Sequence, residues 1–120
     1  MNKKTVVLGA SDNPDRYSYL AIQKLRANQH DVIAIGRNKS IVADVVIETE
    51  PVIANDVDTV TLYLNPTLQK KYYDYILSLK PKRIVFNPGT ENDELSELAF
   101  QNNIQPIMAC TLVMLGTNQY

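Results

Sequence analysis

The sequence predicts an α/β domain built on a single doubly wound parallel sheet of five or six strands, with helices on both faces. Three observations carry this expectation. Short runs rich in Val and Ile alternate with amphipathic segments along the whole chain, as strands joined by crossover helices do. The strand-like runs are nearly continuous in apolar residues, which suits strands covered on both faces. The 120 residues fit one domain, 1–120, without linker, repeat or low-complexity tract.

The first strand runs from Lys4 to Leu8 and ends at Gly9. A small polar loop, Gly9 to Arg16, leads into a helix over Ser18 to Asn28 with Ala21, Ile22 and Leu25 on its inner face. Asp31 to Ile35 is the second strand, Gly36 to Ile41 a loop, Ala43 to Ile47 a short third strand and Thr59 to Tyr63 the fourth. Asn65-Pro66 breaks the chain, because proline disfavours helical backbone in the residue before it. Thr67 then caps a helix whose stripe is Leu68, Tyr72, Ile76 and Leu79, and Pro81 ends it. Tyr73 and Tyr75 fall off that stripe and read as a contact patch. Arg83 to Phe86 is a strand and Asn87-Pro88-Gly89 a turn. Glu91 or Asn92 opens a helix with Leu95, Leu98 and Ala99 inward. Gln105 to Met108 is the last strand, and Thr111 to Leu115 a short closing helix.

Charge is nearly balanced, with 12 basic against 13 acidic residues. Balance argues against bulk electrostatic binding to nucleic acid or acidic membrane. No apolar run approaches the roughly 20 residues that span a bilayer. Met1-Asn2-Lys3-Lys4 passes straight into a strand without a signal segment, and the single cysteine, Cys110, has no internal disulfide partner. These features predict a cytoplasmic protein. No His, Cys, Asp and Glu set has metal-ligand spacing.

In a parallel sheet the βα loops gather at the carboxyl edge, where doubly wound folds bind ligands. The first of these loops is the most informative. Gly9-Ala10-Ser11 ends an apolar strand, and Arg16 and Ser18 stand where the helix begins. A helix N-terminus offers free N–H groups and the positive end of a dipole to a phosphate. A guanidinium adds a fork of two parallel donors. Ser18 also suits an N-cap, a role compatible with an anion site. The three-glycine dinucleotide fingerprint is missing, since Gly9 stands alone. After the second strand an NAD site places an acid on the ribose. Here Arg37 and Lys39 occupy that place, which points to a phosphorylated ribose. NADP and coenzyme A both satisfy this.

The segments Val7-Leu8-Gly9-Ala10-Ser11-Asp12-Asn13-Pro14, Arg16-Tyr17-Ser18-Tyr19, Asp31-Val32-Ile33-Ala34-Ile35, Tyr63-Leu64-Asn65-Pro66 and Asn87-Pro88-Gly89-Thr90-Glu91-Asn92, with the late Cys110, occur in this order along the chain. As an ordered set they resemble the small stand-alone CoA-binding proteins, whose domain is similar to the nucleotide-binding domain of the succinyl-CoA synthetase α subunit. The resemblance implies a Rossmann-like fold and a pocket for coenzyme A or an acyl-CoA. By it, Gly9, Ala10, Ser11, Arg16 and Ser18 hold the phosphates, Arg37 and Lys39 take the 3′-phosphate, and Leu64, Asn65 and Pro66 flank the nucleotide or pantetheine. The chain departs from the family pattern at Gly36-Arg37-Asn38-Lys39, where an Asn-Pro pair is common, and at the apolar Thr111-Leu112-Val113-Met114-Leu115. The latter segment packs on the core or on a partner subunit, which leaves a homo-oligomer open. The synthetase's second domain, with its phosphorylated histidine, has no counterpart in this sequence.

No catalysis is expected of the isolated domain. A nucleophilic Cys110 would need a base. His30, the single histidine, precedes the second strand and belongs to the opposite edge, as a surface loop residue. Glu91, Asp93 and Glu94 read as acids opposing a helix dipole. Two rival readings remain, an NADP-binding oxidoreductase-like protein and an assembly subunit with a vestigial nucleotide pocket.

Overall fold

The computed structural model describes residues 2–120. Its strands are β1 (Thr5–Ala10), β2 (Val32–Gly36), β3 (Ser40–Val42), β4 (Val45–Glu48), β5 (Thr59–Leu62), β6 (Arg83–Phe86) and β7 (Gln105–Met108). They form one seven-stranded sheet in the order β3-β4-β2-β1-β5-β6-β7. Every neighbouring pair is parallel except β3 with β4. The helices are α1 (Tyr17–Ala27), α2 (Pro66–Gln69), α3 (Tyr73–Leu79), α4 (Asp93–Gln101) and α5 (Thr111–Gly116), with a 3-10 turn over Lys70–Tyr72 between α2 and α3.

Side-chain alternation sorts the core into two layers. Val7, Ala34 and Ile47 face one side, where Ile22 and Leu25 of α1 and Leu115 of α5 meet them. Val6, Leu8, Ile35, Val60, Leu62, Ile84 and Phe86 face the other, under Ile76 and Leu79 of α3 and Leu95 and Ala99 of α4. Each of the fully buried Leu, Ile and Phe side chains contributes about 1.5–3 kcal/mol of transfer free energy. The apolar tail thus packs on the core through Leu115. The strand order turns at β1, with β2 on one flank and β5 on the other, so the carboxyl ends of these three strands meet at the switch point where doubly wound folds bind ligands.

Several elements differ from the sequence expectation. The sheet gains β3, which lies where a loop was expected and pairs with β4 in register Ser40↔Ile47, Ile41↔Val46, Val42↔Val45. Three residues are too few to display a period, and the turn begins at Ala43 with φ +54° rather than at a glycine. The helix expected after Asn65 is broken into α2, the 3-10 turn and α3. Leu68 is exposed at 45% and the fully buried Gln69 takes its place inside. Tyr73 and Tyr75 are no contact patch. Both pack against the core, and their hydroxyls bond Glu94 and the carbonyl of Val52.

His30 is buried rather than a surface residue. Its Nδ1 accepts the Lys3 N–H at 2.9 Å, and its ring lies 5.1 Å from that of Tyr120. Burial and the neighbouring positive charges of Lys3 and Arg83 hold its pKa below the ordinary histidine value. Nearby, Arg26 forks onto Asp44 at 2.8 and 2.9 Å, tying α1 to the β3–β4 turn. That hydrogen bond lowers the pKa of the Asp44 carboxyl.

Candidate functional site

At the end of β1 the chain carries a bulge. Leu8 pairs with Ile35 and Ala10 with Gly36, so Gly9 is the extra residue. Gly9 therefore lies inside β1 instead of ending it. Its φ is +90°, and a Cβ there would stand 2.8 Å from the Tyr63 carbonyl carbon and 3.1 Å from Leu64 Cδ2. A Cβ on Gly36 would stand 2.2 Å from the Ala10 oxygen. Both positions require glycine because backbone crosses backbone. The consequence is that Gly9, Ala10 and Ser11, the Gly36–Lys39 segment, and Leu64 converge at one edge.

The loop from Ser11 to Arg16 is wound by its own side chains. Ser11 Oγ accepts the Asn13 N–H at 3.0 Å, and Asn13 Oδ1 accepts the Asp15 N–H at 2.9 Å. Asp12 accepts from Ser40 Oγ at 2.8 Å, which fastens the loop to β3. Arg16 is the N-cap residue of α1, in extended backbone and without a side-chain cap. Ser18 is therefore no cap; it sits within the first turn and is 3% exposed. The first turn of α1 holds no acid, and the Tyr17 and Ser18 N–H groups meet no acceptor among the described residues. By contrast, α4 is capped by Asn92 and carries Asp93 and Glu94 in its first turn. The first turn of α5 likewise carries no cap and no acid, but its Thr111 N–H is taken by Asn87; at α1 the first N–H groups are left open.

Opposite it, Asn65 rather than Thr67 caps α2, its Oδ1 accepting the Leu68 N–H at 3.0 Å, with Pro66 as first helical residue. This leaves the Asn65 side-chain amide N–H groups to donate. A buried polar network fixes the segment. Gln69 Nε2 donates to the Leu64 and Thr90 carbonyls at 2.8 Å each, and Gln69 Oε1 accepts from Asn92 at 2.8 Å. Asn87 Nδ2 donates to Thr61 Oγ1 at 2.7 Å and to the Leu62 carbonyl at 2.8 Å. Its Oδ1 accepts the Thr111 N–H at 2.8 Å. Thus β5, β6 and the start of α5 are locked together beneath the edge. Sequence reasoning placed Gln69 in a helix but off its inner stripe, Asn87 in a turn and Thr111 at the start of the closing helix, and assigned none of them to the site, because only burial marks them.

The remaining candidates divide. Arg16 and Arg37 are exposed and form no ion pair among the described residues. Lys39 lies 3.4 Å from the Glu48 carboxylate, an exposed pair worth little. Cys110 is half-buried at the N-cap of α5, and His30 is indeed at the opposite edge of the sheet. Glu91 receives the Gly89 N–H at 2.9 Å and braces that turn. The Tyr63 hydroxyl is buried without a hydrogen-bond partner, and burial pushes its pKa above the usual phenol range. It is neutral at pH 7. No group of three metal-ligating side chains occurs among the described residues, and no helix is long and apolar enough to cross a membrane.

Two surface depressions lie elsewhere, one running along β2 and β4, the other at the amino edge. One is bordered by Lys4, Arg26, Asp31, Asp44 and Glu48, the other by Lys4, Asp31, Asp56, Asp58 and Lys82. Both mix lysine or arginine with several carboxylates, and neither touches the β1–α1 turn, so the convergence of anion-seeking groups stays at the carboxyl edge.

The CoA binding domain family model matches residues 3–116, and the chain belongs to that family. A crystal structure of an uncharacterized protein is 49% identical, covers 100% of this chain and 99% of its own, and superposes with a TM-score of 0.96. A hypothetical protein from Pyrococcus horikoshii OT3 is 22% identical over 97% of this chain and 83% of its own, with a TM-score of 0.85. A protein from Thermus thermophilus is 18% identical over 99% and 91%, with a TM-score of 0.81. The last two share the fold. No curated protein matches the chain.

Proposed function

We propose that the chain binds coenzyme A or an acyl-CoA at the carboxyl edge, with the diphosphate against the N-terminus of α1. The observation that carries this reading is the uncapped, acid-free first turn of α1 behind the Gly9 bulge. Such a terminus is the positive pole of a helix with N–H donors to spare. The residues present fit the group. Gly9 and Ala10 supply close backbone, the Ser11 hydroxyl keeps its own proton to donate, and the Ser18 N–H and the Arg16 guanidinium are unspent. Arg37 and Lys39 are the readers of the 3′-phosphate, and Leu64, Asn65 and Pro66 line the nucleotide or pantetheine. The domain binds its ligand without transforming it, since neither Cys110 nor Glu91 has a base or acid partner arranged for transfer.

Calorimetric titration with CoA, dephospho-CoA, NADP and ADP tests this. Tight CoA binding with weaker dephospho-CoA is the expected result. A preference for NADP would reassign the pocket to a reductase-type cofactor, and no binding to any of the four would mark the site as vestigial. Arg16→Ala weakens CoA by about 1.5–3 kcal/mol, the scale of a charged hydrogen bond. Unchanged affinity would remove Arg16 from the site. Arg37→Ala weakens CoA but leaves dephospho-CoA unaffected.

A further inference from the structure

The sheet face that carries α1 and α5 is not uniform. Under α1 it offers Ala34, Val42, Val45 and Ile47. Under the segment Thr111–Tyr120 it is largely polar. Thr5, Thr59 and Arg83 stand in one row across β1, β5 and β6, and the next row on this face is Val7, Thr61 and Val85. All three threonines are fully buried. Arg83 Nε donates to Thr59 Oγ1 at 2.7 Å, and Arg83 Nη2 is buried without a partner among the described residues.

The segment Thr111–Tyr120 is fastened at its two ends. At the carboxyl edge, Thr111 Oγ1 meets Thr61 Oγ1 at 2.8 Å and the Thr111 N–H donates to Asn87 Oδ1 at 2.8 Å. At the amino edge, the Tyr120 hydroxyl bonds Thr5 Oγ1 and Lys3 Nζ donates to the Tyr120 carbonyl. The Arg83 guanidinium lies 4.4 Å from the centre of the Tyr120 ring. Between these anchors only Leu115 is a buried apolar side chain, whereas α1, of similar length, buries Ala21, Ile22 and Leu25. Lifting α1 would expose an apolar face. Lifting this segment exposes chiefly hydroxyls and a guanidinium, which water can partner. Local opening is drawn from segments with so little apolar burial.

His30 stands against the Tyr120 end. Its ring centre is 5.1 Å from that of Tyr120, and its Nδ1 accepts the Lys3 N–H at 2.9 Å. A proton on Nδ1 removes that acceptor. It also sets a third positive charge beside Lys3 and Arg83, with the Asp58 carboxylate 3.8 Å from Arg83. Arg26, which donates to the His30 carbonyl, and Asp31 offset each other at 3.8 Å. We propose that Thr111–Tyr120 is a strap that lifts from the sheet as one unit while the rest of the fold stays closed, and that protonation of His30 releases its latch at Tyr120. Lifting frees Asn87 Oδ1 and the Thr61 hydroxyl beside the carboxyl edge.

Amide hydrogen exchange on the full chain, read residue by residue by NMR, tests the proposal. The Thr111 amide and the Met114, Thr117 and Gln119 amides, which bond within the segment, are expected to share one protection factor. That value lies about a hundredfold or more below those of the β1 and β5 amides. Between about pH 7.5 and about pH 5.5 it falls by a factor approaching ten, the limit for one histidine that titrates near 6.5 once released. His30→Gln removes that fall. At the higher pH, Tyr120→Leu lowers protection at Thr111 and Gln119 alike, and strand amides that stay slower show that the variant is folded. Protection that declines stepwise from Thr111 to Gln119 would mean ordinary fraying and overturn the single unit. So would protection equal to that of the strands, which would mean opening only with the whole fold. A fall with pH that persists in His30→Gln, or no fall at all, would overturn the latch.

Discussion

At the scale of the residue, Gly9 has more structural consequence than any candidate ligand. Its positive φ and the Tyr63 carbonyl against its Cα forbid a side chain. Gly9→Ala is expected to destabilise by more than about 1 kcal/mol, through strain at φ +90° and overlap with the Tyr63 carbonyl just after β5; urea unfolding measures it, and an unchanged midpoint would show that the bulge relaxes freely. His30 supplies a pH dependence. Its folded pKa is lowered, so the unfolded state takes up the proton first as pH falls below about 6.5. Stability from this group is complete above that value and declines as pH falls toward the folded pKa. The Lys3 N–H bond to Nδ1 is lost with it. His30→Gln should flatten the stability profile between pH 7 and 5; a profile identical to wild type would exclude His30 as the source. The sequence placed His30 at the correct edge but not in the interior, since a polar residue between helix and strand looks like loop until Tyr120, 90 positions away in the sequence, is seen against it.

Elements meet at the carboxyl edge through buried amides. Asn92 caps α4, donates to Gln69, and donates to the Tyr73 hydroxyl. Replacing it with Ala removes the cap, worth about 1 kcal/mol, and leaves the buried Gln69 oxygen unpaired at about 1–3 kcal/mol more. A thermal melt that shifts by less than the cap alone implies would show that water replaces Asn92. Asn87→Leu keeps the volume and strands the Thr111 N–H and the Leu62 carbonyl. Its expected cost is about 2–4 kcal/mol. Strand and helix order was legible from apolar periodicity. The short elements, β3 and the split α2–α3 segment, were not legible. Their boundaries are set by hydrogen bonds to distant groups, such as Gln69 to Thr90, and no local pattern encodes those.

For the whole molecule, ligand binding and stability are coupled through one sheet. A ligand gripped at β1, β2 and β5 touches its centre, so CoA at a hundred times its dissociation constant should stabilise the fold by about 2.7 kcal/mol, and ADP at the same concentration by less. A rise in melting temperature with CoA that equals the rise with ADP would deny the rest of the cofactor any part in binding. What the sequence determined by itself was the architecture and the place of the first βα turn. Alternating apolar runs leave few ways to bury themselves, and connection handedness selects among them. What only the tertiary structure decided was which groups remain free at that turn. The Ser18 side chain is buried in α1, Asn65 Oδ1 is spent on a cap while its amide N–H groups are not, Lys39 is only loosely paired with Glu48, and the N–H groups of Tyr17 and Ser18 are left without acceptors. Availability for a ligand is what remains after the fold has satisfied its own polar groups, and that remainder is a property of distances between residues far apart in the chain.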